Sequence, residues 1–199
     1  REQQLLKKLH QQGAALAAAE QALKQLTENQ KVSEDETARQ RAAREQAFEE
    51  KLYRDPLTGI YNRRYYEEVA RKTIGPAGVA LMDVDDFKQI NDRYGHIQGD
   101  LCLAGIAECI KKSYANFGYC YRIGGDEFCV LLKNGGNEGR CKQEFLQRLQ
   151  EKRGEIAFLP TVSYGSAPFS GEDIVKVKAR ADQDMYQYKK ERKNRKRLS

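Results

Sequence analysis

Gly124-Gly125-Asp126-Glu127-Phe128 is the stretch on which the reading of this chain turns. It stands between two apolar runs, Tyr119-Cys120-Tyr121-Arg122-Ile123 before it and Phe128-Cys129-Val130-Leu131-Leu132 after it. Such runs around a Gly-Gly pair predict a tight β-hairpin with positive φ at both glycines, a conformation that Gly adopts at little steric cost. Asp126 and Glu127 then stand at the mouth of the turn. Carboxylates beside bare glycines suit a metal-bound phosphate, because the missing side chains let a bulky ligand approach the backbone. An ordinary hairpin with a charged tip is the plain alternative.

Upstream, the segment from Gly78 to Asp92 begins as the apolar run Gly78-Val79-Ala80-Leu81-Met82 and ends among acids, Asp83-Val84-Asp85-Asp86, before Phe87-Lys88 and Asn91-Asp92. A buried strand over about 79–84 would deliver Asp83 to the edge of a sheet. Magnesium prefers one or two carboxylates plus substrate phosphates, and Asp83 brought beside Asp126 by adjacent strands would meet that need. Lys88 is a point charge suited to a polyphosphate tail. Asn91 offers a donor and an acceptor to a nucleobase edge. A solvated acidic loop after a strand is the alternative. Leu103, Ile106, Ala107, Ile110 and Tyr114 recur at helical spacing and predict a helix over 99–114. Asp100 would sit in its first turn, where favourable interaction with free N–H groups explains an acid by itself. His96 reads as structural, since the other histidine, His10, belongs to a different region.

The remaining pattern predicts strands over 119–123, 127–132 and 161–166, a helix over 138–152, and added helices near 62–73 and 172–190. With the strand at 79–84 this is the split β-α-β-β-α-β order of an α+β fold, an antiparallel sheet with flanking helices. It places Asp83 and the Gly124-Gly125 hairpin in one sheet, as a polymerase-palm-like site requires. Before this domain, taken as 53–199, residues 1–52 hold one Gly, no Pro and much Ala, Gln, Glu and Lys. They predict a helix of roughly 75 Å if unbroken. Leu9, Leu16 and Leu23, with Ala19 and Leu26 between turns, form a heptad seam that implies a coiled-coil homodimer. Ser33-Glu34-Asp35-Glu36 is a candidate cap for a second helix, and a passive spacer or a helix folded back on its own domain is the alternative to a dimer.

The chain of 199 residues is 32% charged, its mean hydropathy is −0.80, and no apolar run is long enough for a membrane span. The segment from Lys189 to Ser199 has seven basic side chains and one acid, so it carries the whole net charge of +6. No aromatics interleave with those charges beyond Tyr188, which argues against nucleic acid as a partner. The five cysteines, Cys102, Cys109, Cys120, Cys129 and Cys141, form no Cys-x-x-Cys pair and predict reduced, buried thiols in a cytoplasmic protein rather than a zinc site. The chain opens on Arg1 rather than Met. A piece of a longer protein, with a sensor domain upstream, is therefore expected, and any membrane anchor would also lie there.

From Asp55 to about Asn194 the chain resembles the GGDEF family of bacterial diguanylate cyclases. The likeness rests on Asp55-Pro56-Leu57-Thr58-Gly59-Ile60-Tyr61-Asn62-Arg63-Arg64, the Asp83–Asp92 block, Gly95-His96-Ile97-Gln98-Gly99-Asp100 and Arg122-Ile123-Gly124-Gly125-Asp126-Glu127-Phe128. It implies a nucleotidyltransferase that makes cyclic di-GMP and pyrophosphate from two GTP molecules, with magnesium, or alternatively manganese, as cofactor. By the same likeness Asp83, Asp126 and the Val84 carbonyl would hold metal ions. Glu127 would support the second metal or remove the attacking proton. Gly124 and Gly125 would line the substrate, and Asn91 and Asp100 would recognise guanine, Asp100 favouring GTP over ATP. Backbone N–H groups near Phe87 and Lys88, with the Lys88, Lys189 and Lys193 side chains, would hold the terminal phosphates. Lys193 stands where the family usually has Arg. The family's product-binding Arg-x-x-Asp motif falls on Ala115-Asn116-Phe117-Gly118 and is absent. A silent nucleotide-sensing relative and a coiled-coil interaction protein are the rival readings.

Overall fold

The structure, a computed structural model, describes residues 2–68, 77–133 and 136–198, without the side chains of residues 2, 4–11, 193 and 195–198. The chain divides into two compact units, Arg1–Glu50 and Lys51–Ser199. The first belongs to α1 (Glu2–Tyr53), one unbroken helix. The candidate break at Ser33 does not occur. The Ser33 carbonyl instead accepts a bond from Thr37 Oγ1 at 2.8 Å within the helix, and no Gly or Pro nearby interrupts it. Leu16, Leu23 and Leu26 are each 65% exposed. The Leu9 side chain lies outside the described residues.

In the second unit, α2 (Arg63–Glu68) precedes β1 (Gly78–Val84), α3 (Phe87–Tyr94), α4 (His96–Tyr114), β2 (Gly118–Arg122), β3 (Glu127–Leu132), α5 (Glu138–Glu155), β4 (Val162–Pro168) and α6 (Ile174–Leu198). The four strands form one antiparallel sheet in the order β2-β3-β1-β4, the arrangement expected of the split pattern. The sheet is covered on both faces, which is why its central strands read as continuous apolar runs. Ala80, Met82, Val84, Phe128 and Val130 pack with Leu103, Ile106 and Ile110 of α4 and Phe145 and Leu149 of α5. Val79, Leu81, Cys129 and Leu131, the alternate residues, pack with Val177, Ala181 and Met185 of α6. All five cysteines are buried and free.

Three readings change. Residues 87–94, for which the sequence pattern proposes no element, are the helix α3. Helix α4 begins at His96 rather than residue 99, because Gly95 turns the chain at φ 86 and closes α3 by donating its N–H to the Asn91 carbonyl. Asp100 therefore lies beyond the first turn and caps nothing. The turn between β2 and β3 is also wider than a two-glycine hairpin: it runs over 123–126, and neither Gly124 nor Gly125 has positive φ. Both Ile123 and Gly124 donate their N–H to the Glu127 carbonyl, at 2.9 and 3.3 Å. The expected helix near 62–73 is described only through Glu68.

Helix α6 lies so close to β4 that a Cβ on Gly165 would overlap the Ala181 carbonyl oxygen and the Met185 nitrogen and sit 2.6 Å from Met185 Cα. Rigid backbone cannot give way as a side chain tip can. Gly165→Ala is expected to lower unfolding stability by at least about 2 kcal/mol, measured by urea denaturation.

Candidate active site

Parity along the strands decides where the acids point. Asp83 shares the face of Val79 and Leu81, and Glu127 shares that of Cys129 and Leu131, so both face α6. Asp83 and Glu127 are directly paired across β1 and β3. The Val84 N–H donates to the Asp126 carbonyl at 3.1 Å, stitching the 123–126 turn to the end of β1. Lys189 of α6 reaches down to donate to Asp83 Oδ1 at 2.6 Å. Burial pushes the Asp83 carboxyl above its ordinary value of 3.8; Lys189 opposes the rise, and the negative charges of Asp126 and Asp85 add to it. The structure thus sets Asp83 beside Glu127 and the Asp126 main chain beside Val84.

The turn that carries Asp126 is held from below. Arg122 donates through Nη2 and Nε to the Gly125 carbonyl, at 2.7 and 3.2 Å, and through Nη1 to both carboxylate oxygens of Asp55, at 3.1 and 3.3 Å. Thr58 adds backbone and hydroxyl bonds to Asp55 Oδ1. Sequence reasoning assigned no role to Asp55 or Arg122, although an arginine just ahead of two glycines is the signal for such a tether. On Gly124 a Cβ would stand 2.7 Å from Glu127 Oε2, whereas one on Gly125 would meet nothing, so the tip is open to a ligand.

Past β1, Asp86 adopts φ 54 and contributes no side-chain cap to α3. The Phe87 and Lys88 N–H groups are at the uncapped start of that helix, where backbone donors seek an anion. Asn91 lies one turn on, and its buried Oδ1 has no hydrogen-bond partner among the described residues. A Cβ at Gly99 would overlap that atom and come within 3.2 Å of Phe87 Cζ, so the bare glycine of α4 makes room for the amide. An orphaned acceptor is the demand that an N–H-bearing base edge would satisfy. Asp100, the next residue along α4, is exposed. The Lys193 side chain lies outside the described residues.

Asp85 plays a part that its sequence position did not reveal. Its carboxylate accepts from Ser163 Oγ at 2.5 Å, Thr161 Oγ1 at 2.6 Å and Arg192 Nη1 at 2.8 Å, bonds that join β1, β4 and α6. Asp83, Asp126 and Glu127 supply the hard oxygen donors that magnesium takes. Among the described residues no group of three or more such donors is set for a metal.

Residues 52–195 match the family described as diguanylate cyclase, GGDEF domain. The chain belongs to that family. It is 36% identical over 164 residues to the diguanylate cyclase DgcP of Pseudomonas aeruginosa, covering 73% of this chain and 24% of that protein. It is 34% identical over 163 residues to the uncharacterized protein YhcK of Bacillus subtilis, covering 71% and 44%. The chain thus spans less than half the length of both curated relatives. Among solved structures, the diguanylate cyclase SiaD of Pseudomonas aeruginosa, in complex with its activator SiaC, is 28% identical with a TM-score of 0.62, covering 90% of this chain and 75% of that one. No helix among the described residues of this GGDEF protein is long and apolar enough to cross a membrane.

The tether makes two linked predictions. Arg122 and Asp55 are 15% and 17% exposed, so Arg122→Ala should cost about 2–3 kcal/mol by stranding a half-buried carboxylate. Burial alone would raise the Asp55 carboxyl, but the Thr58 hydrogen bonds and the Arg122 charge outweigh it and hold it below 3.8. A depressed acid stabilises the fold above its unfolded value and loses that contribution as pH falls toward the folded one. Asp55→Asn should therefore flatten the fall in stability below about pH 4, read from urea midpoints across the acid range.

Proposed function

We propose that this domain is a diguanylate cyclase that condenses two GTP molecules into cyclic di-GMP and two pyrophosphates. The observation that carries the proposal is the convergence of Asp83, Asp126 and Glu127 at the paired ends of β1 and β3, with the Lys189 cation over them. That constellation suits in-line attack of a 3′-hydroxyl on an α-phosphate. A P–O bond forms to the attacking oxygen, the bond to the β-phosphate breaks, and pyrophosphate leaves with the electron pair; the product closes when this happens twice. Asp83 and Asp126, with the Val84 carbonyl, would hold magnesium, which neutralises charge building on the α-phosphate and acidifies the hydroxyl. Glu127 accepts the hydroxyl proton or supports the second ion. Lys189, Lys88 and the α3 N–H groups bind the β- and γ-phosphates, joined by Lys193. Asn91, through its unpartnered Oδ1, and Asp100 read the guanine edge, so GTP is preferred to ATP.

Two substrates must face each other, so the active species is a homodimer joined through α1. The exposed Leu16, Leu23 and Leu26 support this, since a polar helix with an apolar stripe needs a partner to cover it. Product feedback through the Arg-x-x-Asp positions is lost. Ala115 supplies no guanidinium, and a Cβ on Gly118 would overlap the Leu131 carbonyl oxygen, leaving no room for a carboxylate. A cytoplasmic setting agrees with the buried free thiols.

Incubation with GTP and magnesium, followed by product identification, tests the reading. Cyclic di-GMP is expected from the parent, and Asp126→Ala should fold normally yet lose about 100-fold or more of the rate. Near-parental turnover by the folded variant under saturating GTP and magnesium would overturn the assignment. Replacing Leu16 and Leu23 by Glu should lower specific activity at dilute protein concentration; specific activity that stays constant on dilution in both proteins would remove the dimer.

A further inference from the structure

Two acid–base rungs join the end of β1 to the last turns of α6. Lys189 Nζ stands 2.6 Å from Asp83, and Arg192 Nη1 stands 2.8 Å from Asp85. Asp83 is near the end of β1 and Asp85 is in the turn just beyond it, while the two bases are one helical turn apart on α6. Their chemical settings differ. Among the described residues Asp83 has one hydrogen-bond partner, the Lys189 ammonium, and lies beside Asp126 and Glu127, where a cation would compete for its oxygens. Asp85 already accepts three hydrogen bonds, from Ser163 on one oxygen and from Thr161 and Arg192 on the other. Arg192 Nη1 also reaches the Val162 carbonyl at 3.4 Å, and its guanidinium lies 5.8 Å from the Tyr188 ring centroid. A guanidinium fixed by a hydroxyl-bonded carboxylate is poorly placed to leave, whereas a lysine on a single carboxylate exchanges partners readily.

We propose that Arg192 is a positioning residue of the nucleotide site: its pairing with Asp85 holds α6 against the sheet when a metal ion takes Asp83 away from Lys189. Released from Asp83, the Lys189 ammonium then stays poised over the site and is free to meet a phosphate. Without Arg192 the same event would loosen both rungs, and the end of α6 would move off the sheet. This role rests on the cyclase reading, and it concerns substrate binding rather than the chemical step.

The test compares the parent with Arg192→Gln, which removes the rung but keeps helix propensity, and with Lys190→Gln, which removes the same charge from an exposed position of α6. Hydrogen–deuterium exchange of the α6 end is followed with and without magnesium chloride alone. The parent and Lys190→Gln should remain protected in magnesium, while Arg192→Gln should exchange about tenfold faster there. In turnover, Arg192→Gln should raise KM for GTP about fivefold with little change in kcat, the mark of lost uniform binding. Equal protection of Arg192→Gln and parent in magnesium, or an unchanged KM in a folded Arg192→Gln, overturns the proposal. Exchange does not depend on product formation, so a chain that made no cyclic di-GMP would remove the cyclase reading and leave the anchoring role to stand or fall on protection alone.

Discussion

The antiparallel pairing of β1 with β3, in the register that sets Asp83 opposite Glu127, is the constraint on which the rest depends. A slip of one residue would turn Asp83 and Glu127 toward the apolar face built with α4 and α5, and Met82 and Phe128 toward α6. Burial on both faces forbids it, because every side chain of these strands has a layer to fit. The same packing that stabilises the sheet therefore aims the acids.

Gathering carboxylates at one sheet end raises the electrostatic cost of the folded state, and the structure offsets it with cations from elements distant in sequence. Lys189 and Arg192 come from the last helix, and Arg122 from the strand before the turn. These pairs are not equivalent. Arg122 with Asp55 and Arg192 with Asp85 are embedded in further hydrogen bonds and act as structure. Lys189 with Asp83 carries no such further bonds among the described residues. The rigid pairs thus lie at the margin of the acid cluster and the simpler pair lies at its centre.

Much of this was legible in one dimension. The apolar runs around Gly124-Gly125 and before Asp83 marked adjacent strands, and the helical spacing from Leu103 to Tyr114 marked the helix behind them. What misled was local geometry. Two glycines suggested a left-handed two-residue turn, but the Arg122 side chain closes a wider loop in which neither needs positive φ. Asp100 suggested a helix start, but Gly95 sets the boundary one turn earlier. The short helix α3 escaped notice because its sequence is dominated by polar residues.

By itself the sequence determined the strand order, the longer helices and the family, since hydrophobic period and motif spacing are properties of neighbours along the chain. Only the tertiary structure decided which cation answers which carboxylate, that Asp85 joins three segments where Asp83 meets Lys189, and that Arg122 tethers the turn to Asp55. Those pairings join residues 67, 106 and 107 positions apart. Which partners meet at such separations is set by how the layers pack, and no local pattern encodes it.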